Sequence, residues 1–276
     1  MKIYIPTRGR ADNQTTLSHF PDDLYKEVTL VVNEYEKDEY GRYGCNIMTC
    51  PESVNDIATK RKYICENADD NKIVMLDDDL RFYIRKATND WHLRYLEPDE
   101  FHALFGLLDK WLDDYAHCGV SAREGNNRIE HLSAESTRYM RVLAYNLDMF
   151  KGKNIELFRT KVMSDFDMNL QLLENGLPNK VSFYYAQGHG SSNAPGGCSE
   201  WRNIEMQSKG AEILKELHPQ VVKVVERETK TAWGAGKQGK VIRKDVNVQW
   251  KKALKLGQTK LGGINNGDLF GNIGSL

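Results

Sequence analysis

The chain has 276 residues, 28% of them charged, and a formal net charge of −1. That length suffices for one large domain, or a domain with an appendage, whose core needs no disulfide or metal crosslink. The N-terminus shows no signal-peptide pattern and no apolar run approaches twenty residues, which argues against secretion by a signal peptide and against a membrane span. The five cysteines are odd in number and form no CxxC pair, as is typical of reduced thiols. Composition therefore predicts a globular cytoplasmic protein with no membrane partner.

Strands and a helix alternate along the first part of the chain. Ile3–Ile5, Val28–Val32 and Ile73–Leu76 are predicted strands, and residues 52–68 carry the apolar spacing of a helix. This alternation predicts βαβ units, hence a mainly parallel sheet flanked by helices. Such sheets bind ligands at the carboxyl ends of their strands. The polar sequences PTRGR, NEYE and DDD each follow a predicted strand, so we expect them to converge on one crevice.

The α/β pattern continues as far as Leu217. Residues 118–128 begin as a short strand and end in a turn at Gly125. The last helix of the chain is predicted over Asn203–Leu217. Further helices are predicted over residues 99–116 and 163–175, and further strands within residues 137–150 and 180–190.

Three consecutive carboxylates, Asp77, Asp78 and Asp79, follow the strand Ile73–Leu76. Adjacent acids repel each other, and burial would raise the pKa of each one. A divalent cation reverses both effects, because it is the largest charge in such a site. Oxygen ligands suit Mg²⁺ or Mn²⁺, which take few protein ligands and leave positions for phosphate oxygens. The alternative is an exposed acidic turn.

Three arginines accompany the carboxylates. Arg61 falls on the apolar stripe of its helix, where a hydrophobic residue is expected. An inward-facing arginine needs an anionic partner, and a diphosphate would serve. The alternatives are a side chain that reaches past the core to solvent and an internal ion pair with a carboxylate. Arg8 and Arg10 add two cations at the end of the first strand.

The order of these motifs resembles the nucleotide-binding half of GT-A-fold glycosyltransferases, and the resemblance extends over about residues 1–202. In that family an Asp-x-Asp motif follows an apolar strand, and Asp77 and Asp79 match its two acids. Glu34 matches a position that often contacts the nucleoside, and Arg61 matches an arginine that commonly precedes the motif. The resemblance implies a Rossmann-like α/β fold with a mixed sheet, a UDP-sugar donor, and Mn²⁺ or Mg²⁺ as cofactor. The donor-binding residues expected on this basis are Pro6, Thr7, Arg8, Arg10, Glu34, Arg61, Asp77, Asp78 and Arg202.

The sequence SDFDMNLQLLENG resembles the acidic helix start of the same family, with Ser164 in place of its leading glutamate. An inverting transferase needs a carboxylate that takes the proton from the acceptor hydroxyl. Ser164 and Asp167 also fit an N-capping box, which would give Asp167 a structural role. Asp165 is therefore the first candidate for the catalytic base and Asp167 the second. This assignment applies only to an enzyme that inverts configuration at the sugar.

A histidine and a Gly-rich loop complete the predicted site. His189 ends a predicted strand between two glycines. Several GT-A enzymes take a metal ligand from this part of the chain, so the resemblance implies that His189 joins Asp77 and Asp79 as a metal ligand; the alternative is a structural histidine. The loop APGGCSEWR offers backbone NH groups and Arg202, which could cover the diphosphate. The alternative for this loop is an ordinary connection.

Positive charge is concentrated near the C-terminus. Residues 229–260 contain nine Lys or Arg and one acid, so the rest of the chain carries a net charge of −9. Such a segment favours an anionic partner, nucleic acid first, although a solvated and loosely ordered tail is the alternative. The nucleic-acid-binding residues expected here are Lys237, Lys240, Arg243, Lys244, Trp250, Lys251 and Lys252. The predicted domains are a GT-A-like domain over residues 1–220, with a donor half (1–90) and an acceptor half (91–220), and a basic, partly disordered extension over residues 221–276.

The combination of IPTRGR, NDIATKRKYI, LDDD and GGCSEWR resembles phage-type glycosyltransferases that modify hydroxymethylated pyrimidines in DNA. This resemblance implies an acceptor base of 5-hydroxymethylcytosine or 5-hydroxymethyluracil, and a location in the host cytoplasm if a phage encodes the chain. A duplex base would have to leave the stack to react. Tyr83, Trp91 and Tyr95 are candidates for the pocket that would receive it, and packing is the alternative role of each.

Three other functions remain open on sequence alone. A transferase that modifies a glycan, a protein or a small metabolite would need no basic extension. A nucleotidyltransferase usually has a Gly-rich phosphate loop after the first strand, whereas PTRGR contains only Gly9. A non-enzymatic nucleic-acid-binding protein would have no need of Asp77, Asp79 and Asp165, which are all present.

Overall fold

The computed structural model describes residues 1–87, 89–189, 203–229 and 241–262. Three predicted site residues, Arg202, Lys237 and Lys240, lie outside the described residues, as does the Gly-rich loop that ends at Arg202. In the described part of the chain no helix is both long and apolar enough to cross a membrane.

Four parallel strands form the first half of the central sheet. These strands are β1 (Lys2–Pro6), β2 (Val28–Asn33), β3 (Asn46–Cys50) and β4 (Lys72–Leu76), and they lie in the order β3-β2-β1-β4. The chain passes from β2 to β3 through the short helix α1 (Lys37–Tyr40), and from β3 to β4 through α2 (Ile57–Asn67). The three strands and the parallel βαβ arrangement predicted from the sequence are confirmed. Because β1 and β4 are parallel neighbours, their carboxyl ends lie side by side.

The second half of the sheet is mixed. Its strands are β5 (Leu80–Lys86), β6 (Asn89–Tyr95), β7 (His117–Ala122), β8 (Ser133–Glu135), β9 (Val142–Asn146) and β10 (Asn179–His189), and its helices are α3 (Glu100–Trp111) and α4 (Ser164–Glu174). From β4 the order continues β9-β7-β10-β5-β6, with β8 beside β10. β9 is antiparallel to both β4 and β7, whereas β7 and β10 are parallel. The start of β9 therefore lies at the same edge as the carboxyl ends of β4 and β10.

Apolar side chains cover both faces of the sheet, because alternate residues of each strand point to opposite sides. On one face Ile3 and Val74 pack with Phe101 and Leu104 of α3. On the other face residues such as Met75 pack with side chains of α2 and α4. This two-sided burial fixes the positions of the strand ends, and with them the loops that follow.

The described C-terminal residues form an ordered unit against α4. It consists of α5 (Ile204–Leu217), an antiparallel hairpin of β11 (Val222–Thr229) and β12 (Val241–Val248), and α6 (Trp250–Leu261). A third apolar cluster joins all of these elements to α4 through residues such as Leu173, Leu214, Val246 and Ala253. The prediction that the helix ending at Leu217 is the last one was wrong. Residues 241–261 are rich in charge and contain few apolar positions, so the sequence pattern did not indicate that this segment packs against the rest of the chain.

Two further differences from the predicted elements have local causes. α2 begins at Ile57 rather than near residue 52, because Asp56 caps it: the Thr59 amide donates to Asp56 Oδ1 at 2.9 Å. β3 was not predicted, because it is an edge strand with only one fully buried residue, Cys50, and so lacks a clear period-2 pattern.

Replacing Gly257 with alanine is expected to destabilise the docking of α6. A Cβ at this position would lie 2.5 Å from the Gly176 nitrogen and would also press on the Leu173 carbonyl, both of which are backbone atoms at the end of α4. Overpacking of this kind costs about 1–3 kcal/mol. Gly106 in α3 is the matched control, since a Cβ there meets nothing within 4 Å. Urea unfolding should show a loss for Gly257→Ala and a gain of about 0.5–1 kcal/mol for Gly106→Ala. Equal effects of the two changes would contradict the close packing.

Candidate active site

A cavity of about 440 Å³ opens at the edge of the sheet where β1, β4 and β10 end and β9 begins. Its walls come from the loops after β1 and β4, the start of α2, the residues before β9, the start of α4, and parts of α5 and β12. Eight Lys or Arg residues and six Asp residues line it. Of the three strand-end sequences expected to converge, PTRGR and DDD line the cavity, whereas NEYE lies behind it.

The three consecutive aspartates each contact a cation or hydroxyl of the cavity wall. Arg61 Nη2 lies 2.6 Å from Asp77 Oδ1, so Arg61 forms the internal ion pair that the sequence left as an alternative. Arg10 Nη1 lies 2.6 Å from Asp78 Oδ1 and 3.3 Å from Asp79 Oδ2. Burial raises the pKa of Asp78 to about 6, although Arg10 and a hydrogen bond from a neighbouring hydroxyl act in the other direction. Asp78 is therefore the buried anchor of the motif, and the other two carboxylates face the cavity.

The PTRGR loop is held by buried groups beneath it. The Thr7 hydroxyl donates to Asp78 Oδ2 at 2.6 Å, and the Gly9 amide donates to Glu36 Oε1 at 2.6 Å. Lys60 Nζ, buried under the loop, donates to the Thr7 carbonyl at 2.6 Å. Burial lowers the pKa of Lys60. Together these contacts hold the loop in place.

The remaining predicted donor residues fall in different places. Pro6 and Arg8 line the cavity, and Arg8 Nη1 donates to the Asn55 carbonyl at 2.6 Å across the gap between the β1 loop and α2. Glu34 is exposed and does not line the cavity. Glu36, two residues further on, is the buried acid of that turn. Sequence alone did not distinguish the two, because both follow the same strand.

The two candidate catalytic acids are separated by the fold. Asp165 lines the cavity at the start of α4. Asp167 is fully buried: Arg159 Nη2 lies 3.0 Å and His218 Nε2 2.9 Å from its Oδ1. The predicted capping box was wrong, because Met163 is the N-cap residue and no side chain caps the helix. Asp167 is instead the centre of a buried charge cluster.

The same cluster ties the C-terminal unit to α4. His218, at the end of α5, places Nδ1 2.9 Å from Glu174 Oε2 and Nε2 2.9 Å from Asp167 Oδ1. Burial alone would lower the pKa of His218, but the hydrogen bonds to the two carboxylates together raise it above its ordinary value. The folded protein thus favours the imidazolium form.

Stability should consequently fall as pH rises through the folded-state pKa of His218. A histidine whose pKa is raised on folding contributes fully below its unfolded pKa, which is about 6.5, and loses that contribution above the folded value. His218→Ala should cost about 3–5 kcal/mol, because it removes one of the two cations that pair with the buried Asp167 carboxylate and the one that pairs with Glu174. Urea unfolding at pH 6 and pH 9 tests this, with the exposed His102 replaced by alanine as control. If the stability that the wild type loses between pH 6 and pH 9 is lost equally by His218→Ala, the pH dependence belongs to other groups.

Asp77, Asp79 and His189, the predicted metal ligands, all line the cavity. The Asp77 and Asp79 side chains are 27% and 29% exposed, and His189 lines the same cavity beside Leu80, its partner in register. Burial, helped by Arg141, lowers the pKa of His189, so its imidazole is neutral near pH 7, the form that binds metal. Within the described ranges no three His, Cys, Asp or Glu side chains are grouped closely enough to hold a metal alone. The residues fit a Mg²⁺ or Mn²⁺ ion held by one or two carboxylates and completed by diphosphate oxygens.

The residues before β9 add two cations that the sequence did not identify. Arg138 and Arg141 both line the cavity. Arg141 has a left-handed backbone (φ 64°), and its carbonyl accepts a 3.1 Å hydrogen bond from the Asp77 amide. Met163, just before α4, is also left-handed (φ 60°) and also lines the cavity. Such strain in non-glycine residues costs energy and concentrates at functional sites.

The predicted nucleic-acid-binding residues are divided by the fold. Arg243 lines the cavity, and it lies 3.2 Å from Asp245, which also lines it. Lys244 pairs at the surface with Glu212 of α5. Trp250 packs against the Phe166 ring with 5.5 Å between centroids, and together with Lys251 and Lys252 it borders a second hollow.

Tyr83 and Tyr95, two of the three aromatics expected in a base pocket, do not line the cavity. Tyr83 is buried and stacks on Tyr95 with 4.8 Å between ring centroids, and the Tyr95 side chain is partly exposed. The side chain of Trp91 lies outside the described residues. The Tyr83–Tyr95 pair therefore serves the packing of β5 against β6.

A mixed sheet with an aspartate triplet at its carboxyl edge, and a further acid at a helix start that lines the same cavity, is the arrangement expected of a GT-A-like glycosyltransferase. The chain belongs to the TET-associated glycosyltransferase family, whose model matches residues 1–196.

Two phage proteins are similar in sequence. Both are named beta-glucosyl-HMC-alpha-glucosyl-transferase, one from Enterobacteria phage T6 and one from phage T2. Each is 26% identical, and the alignments cover 80% of this chain and 82% of the relative. Among solved structures, residues 1–349 of S. aureus TarS in complex with UDP are 12% identical with a TM-score of 0.46, and the match covers 80% of this chain and 66% of that TarS chain.

Proposed function

We propose that this protein transfers a sugar from a UDP-sugar to a hydroxymethylated pyrimidine in DNA. The observation that carries the proposal is one cavity in which Asp77 and Asp79 lie at one strand end and Asp165 at the start of α4. This arrangement can hold a diphosphate leaving group and accept a proton within the same enclosed space. The names of the phage T6 and T2 relatives support glucose as the sugar and hydroxymethylcytosine as the base.

The donor is proposed to bind against residues 1–90. Arg8, Arg10 and Arg61 stand at the strand ends where the diphosphate would lie, and the PTRGR loop is already fixed in place. Guanidinium groups pair well with phosphate oxygens and stabilise the charge that the diphosphate gains as it leaves. For this pairing Arg10 and Arg61 would exchange part of their contact with the aspartates for contact with phosphate.

Asp77 and Asp79 are proposed to hold Mn²⁺ or Mg²⁺ together with diphosphate oxygens. His189 is proposed to join them as a third ligand only when ion and donor are bound, because these three side chains are not grouped as a metal site in the described residues. When bound, the ion would supply Lewis-acid stabilisation of the leaving diphosphate. The neutral imidazole of His189 and the partly exposed carboxylates suit this role. Arg202 is proposed to cover the diphosphate.

Asp165 is proposed to take the proton from the acceptor hydroxyl. It lines the cavity and has no ion pair within 4.0 Å among the described residues, so its carboxylate is available to a substrate. Asp167 cannot serve in this way, because Arg159 and His218 already engage it in the core. The assignment of Asp165 holds for transfer with inversion at the anomeric carbon.

DNA is proposed to approach from the side of the C-terminal unit. Arg243 and Lys244 on β12 and Trp250, Lys251 and Lys252 at the start of α6 provide positive and aromatic contacts. Lys237 and Lys240, between β11 and β12, are proposed to add further phosphate contacts.

A second acceptor deserves equal testing. The T6 and T2 relatives are named for an acceptor that already carries a β-glucosyl group, so the reactive hydroxyl of this protein's substrate would be on the sugar rather than on the base. Either acceptor presents a hydroxyl to Asp165, and the cavity does not distinguish them.

The test is mass analysis of nucleosides from four DNAs: unmodified, hydroxymethylcytosine, hydroxymethyluracil and β-glucosyl-hydroxymethylcytosine. Each is incubated with the protein, Mn²⁺ and a panel of UDP-sugars. A sugar-mass shift on one modified DNA identifies base, acceptor group and donor together. Hydrolysis of a UDP-sugar without any shift would retain the transferase and overturn the DNA acceptor, leaving a glycan, protein or small metabolite.

A further inference from the structure

Arg138 and Arg141 are two cavity cations that the proposed donor site does not use. They precede β9 and line the cavity together with Asp165 and Arg243. Among the described residues neither has a carboxylate within 4.0 Å, whereas Arg10 and Arg61 are both paired with aspartates. Two like charges beside each other in a cavity wall are stabilised by an anion that binds both.

Arg138 is held by an aromatic ring rather than by an acid. Its guanidinium carbon lies 4.7 Å from the centre of the Phe166 ring. Arg138 Nη2 also donates to Met140 Sδ at 3.7 Å, and a guanidinium stacked in this way can present its other N–H donors to a further partner. Phe166 follows Asp165 directly, so the donors of Arg138 lie beside the proposed catalytic base rather than among the residues of the β1 loop.

The other carboxylate near Arg138 is already engaged. Asp245 Oδ2 lies 3.2 Å from Arg243 and 3.6 Å from Arg227. Asp245 therefore attracts Arg138 only from beyond 4.0 Å, while it is paired with two arginines of the hairpin. The hairpin contributes Arg243 and Asp245 to the cavity wall, and both lie outside the family match, which ends at residue 196.

Arg141 is fixed in place by its backbone. Its left-handed conformation and the bond from the Asp77 amide hold it between the aspartates and α4. Within the described part of the chain its side chain makes a long hydrogen bond, 3.4 Å from Nη1 to Gln187 Oε1. The geometry leaves both guanidinium groups able to reach one anion.

We infer that Arg138 and Arg141 bind a phosphodiester of the acceptor strand next to the reacting nucleotide, and so position its hydroxyl at Asp165. This inference rests on the proposed DNA acceptor. The donor diphosphate is the other anion proposed for the cavity. It is proposed to bind Arg8 and Arg10 after β1 and Arg61 on α2, so it does not need Arg138 and Arg141. The pair would distinguish a nucleotide within a strand from a free nucleoside.

The test uses the full chain and a short single-stranded DNA with one modified base. Arg138→Ala and Arg141→Ala are compared with Lys62→Ala, which removes an exposed charge from the outer face of α2. Each of the two arginine-to-alanine variants should raise the KM for the oligonucleotide about tenfold to a hundredfold, the range for one charge-assisted contact, whereas Lys62→Ala should leave it unchanged. The dependence of log KM on log salt should weaken by about 0.7 per lost phosphate contact. Arg138→Lys, which keeps the charge without the planar fork, should restore only part of the loss.

Replacing single phosphodiesters of the oligonucleotide by neutral methylphosphonates identifies the contact. When the methylphosphonate stands at one position next to the modified base, the KM of the wild type should rise as much as Arg138→Ala raises it on unsubstituted DNA. The KM of Arg138→Ala should not rise further on the substituted DNA. Calorimetry of UDP binding separates the sources of phosphate: a matching loss of UDP affinity in both arginine variants would overturn the inference in favour of a donor role. An unchanged oligonucleotide KM would also overturn it. Failure of the proposed function itself would be visible in the wild type, as absence of transfer to any modified DNA.

Discussion

Asp165→Asn is expected to lower the turnover of sugar transfer by roughly 10²–10⁴-fold, the contribution typical of a positioned general base. The amide keeps the shape of the side chain but cannot take a proton. Affinity for UDP and the free energy of unfolding should stay near wild-type values, because Asp165 has no ion pair within the described residues and faces the cavity. The measurements are single-turnover transfer, UDP calorimetry and urea unfolding.

Asp167→Asn is the matched control two residues away. It removes the charge that Arg159 and His218 share in the core, so we expect a loss of about 3–5 kcal/mol in stability. Where the variant remains folded, its turnover should change far less than that of Asp165→Asn. The reverse pattern, with turnover lost only in Asp167→Asn, would contradict the assignment of the base.

The anomeric configuration of the product is an independent check on the same residue. Coupling between H1 and H2 in the NMR spectrum reports whether the transferred sugar is inverted. An inverted product with an inactive Asp165→Asn supports a base role. The names of the T6 and T2 relatives contain alpha-glucosyl, which for transfer from UDP-glucose corresponds to a product with retained configuration. Retention would remove the need for a general base of this kind and would require another role for Asp165.

Asp79→Asn is the second change with a large expected effect. Loss of a carboxylate at the proposed metal site should lower transfer by roughly 10²–10³-fold, comparable to removing one preorganised stabiliser of developing charge. It should also abolish the dependence of UDP affinity on Mn²⁺. Among the described residues the ion pair of Asp79 is with Arg10, at 3.3 Å, so the fold should be little affected.

Asp12→Asn provides the control for Asp79→Asn. Asp12 lies in the same part of the chain as the PTRGR loop, and its side chain is 93% exposed and paired with Arg42 outside the cavity. Its removal should leave transfer and Mn²⁺ dependence unchanged. Calorimetry with and without Mn²⁺ distinguishes the cases: an Mn²⁺ effect that survives in Asp79→Asn would mean that other groups hold the ion.

The donor end of the cavity was largely predictable from sequence. Apolar runs ending in PTRGR and DDD fixed both the strands and their shared edge, because parallel neighbouring strands end at the same side. Arg61 was visible as a charge on an apolar helical stripe. These signals are local, because each depends on residues that are close together in the sequence.

Charges brought together from distant parts of the chain were not predictable in this way. Asp165 and Asp167 differ by two positions, yet the fold directs one to the cavity and buries the other against His218, fifty-one residues later in the chain. Arg138 and Arg141 looked like strand residues, since nothing nearby in sequence indicates that β9 begins beside β4. Glu36 rather than Glu34 supports the PTRGR loop for the same reason.

The sequence by itself therefore determined the strand-end motifs, the α/β pattern and the resemblance to glycosyltransferases. Only the tertiary structure decided that Asp165 rather than Asp167 is accessible, and that a C-terminal hairpin forms part of the cavity wall. It also decided that Arg138 and Arg141 have no carboxylate within 4.0 Å among the described residues. The physical reason is that backbone preference and apolar periodicity act over a few residues, whereas burial and charge pairing depend on contacts between segments far apart in the chain.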